Sequence, residues 1–215
     1  MTFCAIVCDR GDRPALMSFC RHQLERMTLK PDKVYFVDHP PENGTTDLTG
    51  RIRTGISRAQ ADGIERIFIV ESDDWYSATY FEQMLKGWPQ GVKIIGAKAT
   101  LNYNLRYNAY QKDEHPDRSS LHHTAFDLSA LDRFNWPQND YIFLDKKIWT
   151  YVNRQHIPAD LISSPLVVSM KHGIGKTGGR GHHTNYQRKD PDRSYLKSIV
   201  DSEAFVFYST LRINI

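Results

Sequence analysis

The chain has 215 residues, 40% hydrophobic and 25% charged, which suits one large domain or two small ones and excludes wholesale disorder, collagen-like repeats and a disulfide-stapled miniprotein. Its 28 Lys and Arg against 25 Asp and Glu leave a formal charge of +3, which permits an anionic ligand without demanding a polyanion. The longest uncharged stretch, Leu161 to Met170, falls far short of the ~20 apolar residues of a membrane-spanning helix, so a soluble chain without a membrane span is expected.

Residues 3–8 are apolar, follow no basic segment and stop at Asp9-Arg10-Gly11, so they read as a first strand and not as a signal peptide. Pro14 suits a first helical turn, and Leu16, Cys20, Leu24 and Met27 recur at helical spacing behind it. Residues 33–37 form a second strand ending on Asp38. After a loop rich in Pro, Gly and Thr, Ile52, Ile56 and Ala59 mark a helix that Gly63 can terminate. Ile67 to Val70 is a continuous apolar run of the kind found in a central strand covered on both faces, and it ends in Glu71-Ser72-Asp73-Asp74. Ser77 can cap a helix carrying Tyr80, Phe81, Met84, Leu85 and Trp88, and residues 92–95 give a further strand.

The pattern then changes. Leu101, Tyr103, Leu105 and Tyr107 alternate with Asn102, Asn104, Arg106 and Asn108 as in a half-exposed strand, for which residues 120–126 are the expected partner. Residues 140–152 read as a helix, residues 166–170 as a last strand before the glycine-rich loop at 173–181, and Asp190-Pro191 as the start of a closing helix. The expected fold is α/β in a single domain, 1–215, with residues 1–98 parallel in character and residues 99–215 more open and antiparallel. Cys4, Cys8 and Cys20 are odd in number and form no CxxC pair, which fits a reducing cytoplasm and makes the Asn43-Gly44-Thr45 sequon a chance match.

Ligands of open α/β sheets bind beyond the carboxyl ends of the strands, and three expected strands here end on acids: Asp9, Asp38 and the Glu71 to Asp74 group. Glu71 and Asp73 are two apart, so in an extended segment both side chains emerge on one side and can reach one hard divalent cation. Alternatively, Asp73 and Asp74 only favour the N-terminus of the helix that follows. His172 offers a remote imidazole and opens a loop whose glycines let backbone amides approach phosphate oxygens while Lys176 and Arg180 bring charge. The loop is no P-loop, because Met170 stands where that motif needs glycine; a solvated basic loop is the other reading. Asp145 lies three residues from both Ile142 and Ile148, on an apolar stripe where a carboxylate is costly and its pKa is expected to rise, as a general base requires. It can equally pair with Lys146, Lys147 or Arg154.

Residues from one end of the chain to the other match a known pattern: Gly11-Asp12-Arg13-Pro14 with Cys20, Val37-Asp38, Arg53 with Gly55 and Ala59, and Glu71-Ser72-Asp73-Asp74-Trp75-Tyr76. Ser120-Leu121-His122 with Thr124-Ala125, Asp145-Lys-Lys-Ile-Trp149, Lys171-His172-Gly173 and Gly178-Gly179-Arg180-Gly181-His182 continue it. Over roughly residues 3 to 200 the chain resembles the GT-A class of nucleotide-sugar glycosyltransferases, family-two-like, in a small soluble group of phages and bacteria. The resemblance implies a mixed Rossmann-like sheet and a Mn2+ or Mg2+ ion held by Asp73 and His172. It assigns Glu71, Ser72 and Arg53 to the donor, and Asp9, Arg10 and Asp38 to its base and ribose. Lys171, Lys176 and Arg180 fall to the diphosphate, with a UDP-sugar favoured, and Asp145 becomes the inverting base. Trp75, Tyr76, His122 and Trp149 are candidates to stack on sugar or acceptor. Lys171, Lys176, Arg180, Arg188, Lys189, Arg193 and Lys197 could track the phosphates of DNA bearing a hydroxylated base as acceptor. A glycan or glycolipid acceptor is the rival, and a nucleotidyltransferase or nucleotide-binding module the alternative of another class.

Overall fold

A computed structural model describes residues 1–38, 47–137, 143–162, 166–173 and 188–211. Asn43-Gly44-Thr45, Asp140, Ile142 and nearly all of the glycine-rich loop, with Lys176 and Arg180, lie outside the described residues.

The first half follows the expected alternation. β1 (Phe3–Cys8) pairs in parallel with β2 (Lys33–Val37) on one side and β3 (Arg66–Glu71) on the other, and α1 (Pro14–Glu25) and α2 (Leu48–Ala61) are the crossovers. Parallel neighbours need a long connection, and each helix covers one sheet face as it returns. Successive strand residues therefore feed two cores. Cys4, Ile6, Cys8, Ile67 and Ile69 pack with Ile52 and Ala59 of α2, while Phe3, Ala5, Val7, Phe68 and Val70 pack with Cys20 and Leu24 of α1. Cys4, Cys8 and Cys20 are all free thiols and all buried. Contact between α2 and β1 needs a residue without a side chain at Gly55, where an added methyl carbon would meet Ile6 at 2.4 Å.

The sheet runs in the order β2-β1-β3-β8-β5-β9, taking in β8 (Ala125–Asp127), β5 (Ile94–Ala97) and β9 (Ala159–Ile162). A second sheet has the order β11-β7-β6-β10-β4, from β11 (Arg188–Lys189), β7 (Ala109–Glu114), β6 (Ala99–Asn104), β10 (Val167–Lys171) and β4 (Trp75–Tyr76). The helices α3 (Tyr80–Lys86), α4 (Leu144–Arg154), α5 (Ser194–Ile199) and α6 (Ser202–Thr210) complete the described elements. None of these helices is long and apolar enough to cross a membrane.

Several expectations give way. β6 is buried along its whole length rather than half exposed: β7 and β10 pair with both of its edges, and Leu101 and Tyr103 pack in one core with Leu196 of α5 and Ala204 and Tyr208 of α6. Its antiparallel partner is β7, whose polar sequence AYQKDE carries no apolar alternation. Residues 120–126 instead give a 3-10 turn at Leu121–His123 and β8, which pairs with β3 and β5. α4 begins at Leu144, α3 follows Thr79 rather than Ser77, and the closing helix is two. Asp201 divides them, since its side chain accepts hydrogen bonds from the Glu203 and Ala204 N–H groups and so caps α6.

Candidate functional site

β3 delivers the site. Ile67 and Ile69 point to the core that also holds Ile148 and Trp149 of α4, and Glu71, next on the same pleat, faces that side. Beyond Glu71 the chain turns rather than extends, with the Asp74 N–H donating to the Glu71 carbonyl at 3.3 Å. The premise that Glu71 and Asp73 project together from an extended segment is thereby corrected. Buried Gln23 of α1 brackets the turn, donating to the Asp74 carbonyl and accepting from the Tyr76 N–H. The Tyr76 hydroxyl accepts from the Glu71 N–H at 2.8 Å. From β10, the Met170 N–H donates to Asp74 Oδ1 at 2.8 Å.

The turn sorts the three acids. Asp73 Oδ2 receives Arg13 Nη1 at 2.6 Å and lies 2.9 Å from His172 Nε2, so the predicted neighbours Asp73 and His172 do meet, with an arginine between them and β1. Asp74 turns the other way, toward His122. Ligand atoms of Glu71, Asp74 and His122 all lie within 4.8 Å of one another, a group able to hold a metal ion. Asp74 Oδ2 is 3.2 Å from His122 Nδ1, yet neither Asp74 Oδ2 nor His122 Nε2 has a hydrogen-bond partner among the described residues, although both side chains are buried. Orphaned buried acceptors of this kind fit a cation better than they fit an empty interior.

Electrostatics agree. Burial, the charge of Asp73 and, beyond Lys171, that of Asp145 push the Glu71 carboxyl up to about 7. Burial together with Asp73 and Glu71 raises Asp74 well above the usual carboxylate range. Burial also opposes ionisation of Asp73, but Arg13 and His172 outweigh it and hold this carboxyl well below its ordinary value. His122 is held neutral by burial, by His123 and by Lys171. Asp73 is thus satisfied internally, while Glu71 and Asp74 resist ionising side by side unless a positive charge joins them.

The remaining predicted residues divide. Asp145, half-buried in the first turn of α4, is close enough to act on Glu71, and Lys171, whose Nζ donates to Ser169, acts on all three acids. Asp9 and Ser72 bond each other at 2.6 Å, and Asp9 also takes the Gly11 N–H and Arg13, so both build the end of β1. Gly11 adopts φ +74°, a left-handed conformation that brings its N–H back to Asp9. Arg10 pairs with Asp12, and Asp38 and Arg53 are exposed.

The aromatic candidates are buried. Tyr76 and Trp149 are 2% exposed and Trp75 9%, their rings packed in the cores and their polar atoms committed. Trp149 donates to Thr124 and Trp75 to Asp201. His122 lies against Asp74, its Nδ1 3.2 Å from Oδ2. Sequence reasoning gave no role to Arg13 or Arg51. Arg51 is buried, paired with Asp47 through two hydrogen bonds of 2.7 Å, and donates to the Asp9 and Val37 carbonyls. The i,i+4 spacing of Asp47 and Arg51 was the available signal.

No protein family's sequence pattern and no curated protein matches the chain. Among solved structures, a mutant β-1,4-galactosyltransferase 7 of Drosophila in complex with manganese, UDP-Gal and xylobiose is similar over 94% of this chain and 81% of that one, with 12% identity and a TM-score of 0.52. A 4-diphosphocytidyl-2C-methyl-D-erythritol synthase is 10% identical over 91% of this chain and 97% of that one, at a TM-score of 0.46. Protein A197 of STIV is 8% identical over 76% and 83%, at 0.43. The Drosophila likeness shows the fold: this chain has a GT-A, Rossmann-like mixed α/β architecture.

Proposed function

We infer that the chain is a metal-dependent transferase that moves a sugar from a nucleotide-sugar, a UDP-sugar for preference, to a hydroxyl acceptor with inversion. The observation that carries this is the turn after β3, where Glu71, Asp74 and His122 bring ligand atoms within 4.8 Å at the carboxyl end of the central parallel strands. Those three residues would hold Mn2+ or Mg2+, with Asp73 and His172 alongside. A bound ion supplies neutralising charge to the departing nucleoside diphosphate. Lys171 adds a second positive charge to the same corner. Asp145, on the α4 side of Glu71, takes the proton from the acceptor hydroxyl. Attack from the α4 side, with the diphosphate leaving toward the acidic turn, inverts the anomeric centre. Arg10, Asp38 and Arg53 remain accessible to base and ribose, whereas Asp9 and Ser72 act through the shape of the β1 end.

The UDP preference is supported by the resemblance and by the UDP-Gal in the Drosophila complex. Arg188 and Lys189, exposed on β11, support a DNA acceptor. Arg193 drops out of that stripe, because it is committed to Asn108 and the Ser209 carbonyl. A glycan acceptor is the second reading, favoured by the xylobiose of the same Drosophila complex.

Incubation with a panel of nucleotide-sugars and Mn2+ tests the proposal. Slow release of nucleoside diphosphate and free sugar is expected, with transfer to hydroxymethylated DNA or to an oligosaccharide read by mass spectrometry. Release of pyrophosphate from a nucleoside triphosphate and a sugar phosphate, with no cleavage of any nucleotide-sugar, would overturn it in favour of a nucleotidyltransferase.

A further inference from the structure

Arg13 stands inside the acidic corner. It immediately precedes Pro14, the first residue of α1, and its side chain, 10% exposed, crosses from the end of β1 to the end of β3. Nη1 donates to Asp73 Oδ2 at 2.6 Å, and Nη2 reaches Asp9 Oδ1 at 3.3 Å and Ser72 Oγ at 3.4 Å. Nε is buried without a hydrogen-bond partner among the described residues. The guanidinium is therefore aimed at the carboxylates rather than at a full set of acceptors, and its field extends to Glu71. Among the described residues, Lys171 also acts on all three acids and His172 on Asp73. On the far side of the turn, buried Asp74 Oδ2 and His122 Nε2 lack hydrogen-bond partners among the described residues.

We propose that Arg13 is the resident cation of this corner: it neutralises Asp73 in the metal-free protein and sets how tightly the corner takes a divalent ion. The inference rests on the metal site of the proposed function. Two positive charges directed at one group of carboxylates repel each other, strongly where water is excluded. A guanidinium cannot relieve that repulsion by losing its proton. Arg13 thus keeps the turn assembled without metal and weakens uptake of metal alone. A nucleoside diphosphate, which brings negative charge of its own, offsets the repulsion, so metal and donor enter together.

The test uses Mn2+ and the donor-free protein in three forms: parent, Arg13→Gln and Arg13→Lys. Calorimetry gives the affinity for Mn2+, and thermal melts are taken in EDTA and in Mn2+. Arg13→Gln is expected to bind Mn2+ at least ~tenfold more tightly than the parent, to melt lower in EDTA, and to gain more from Mn2+. Arg13→Lys keeps the charge and should stay within about threefold of the parent. A role confined to structure would lower the melt without raising affinity. Unchanged or weaker affinity in Arg13→Gln, with a parent that binds, would overturn the role of Arg13 alone, as would a variant that fails to fold even in Mn2+. If no form takes up Mn2+, the metal site of the proposed function falls first.

Discussion

At the scale of single residues, Asp145 and His123 make separable demands. Asp145→Asn keeps volume and hydrogen-bonding reach but cannot accept a proton at neutral pH, so transfer should fall by ~10²–10⁴ while Mn2+ and donor bind as in the parent. An ion-pair role would instead lower the melting temperature and leave turnover per folded molecule unchanged; both are measured on one preparation. His123 is wholly buried, and neither ring nitrogen has a hydrogen-bond partner among the described residues. Burial lowers its pKa from 6.5 to about 3, so between these values the unfolded chain binds a proton that the folded chain refuses. Stability on this account is fully present above about 6.5 and falls as pH drops toward 3. His123→Leu should therefore retain about 2 kcal/mol more stability than the parent on going from pH 7 to ~4.5, read from urea midpoints at the two values. Equal losses in both proteins would refute it.

Whole elements were legible where sequence pattern and burial coincide. β1 and β3 declare themselves as apolar runs ending on acids, and their crossover helices carry apolar stripes; the place of the candidate site, at those acids, follows from them. Three features did not show. β7 opens on Ala109 and Tyr110, is polar beyond them, and is held as a strand by pairing with β6 on one side and β11 on the other. The turn at Asp73-Asp74 depends on Gln23 and on Met170, distant in sequence from it. Half-buried Arg13 pairs with Asp73, and buried Arg51 donates to the Asp9 carbonyl, partners that only the fold brings near. Two elements offer tests of packing. Gly55→Ala puts a methyl carbon against Ile6 and should destabilise the protein by roughly 1–3 kcal/mol, as overpacking does, seen as a lower urea midpoint with an unchanged slope. Asp201 caps α6; burial opposes its charge, but the Ala204 N–H and Trp75 indole N–H bonds outweigh this and lower its pKa. A lowered carboxyl contributes stability above its ordinary value of 3.8 and loses it below. Asp201→Ala should cost ~1 kcal/mol at pH 7, with the gap from the parent closing below that value, followed by Trp fluorescence during acid titration.

For the molecule as a whole, the acidic corner draws on α1, the turn after β3, the 3-10 turn before β8, α4 and β10, so it exists only in the folded chain. An ion that binds only there stabilises the fold by mass action, about 2.7 kcal/mol at a hundredfold excess over Kd. That corresponds to a rise in melting temperature of roughly 5–10 °C for a chain of this size, which Asp74→Asn combined with His122→Gln should abolish. The three thiols give the architecture a second readout. Burial pushes Cys4 and Cys20 up to about 12, and burial also raises Cys8, so an alkylating reagent finds almost no thiolate until the chain opens. Cys4 and Cys8 face the α2 side of the sheet and Cys20 lies on α1, on the opposite side. Mass-resolved labelling therefore becomes a clock with two hands: Cys20 marked ahead of Cys4 and Cys8 reports α1 peeling from an intact sheet, and simultaneous marking reports the sheet dissolving in one event.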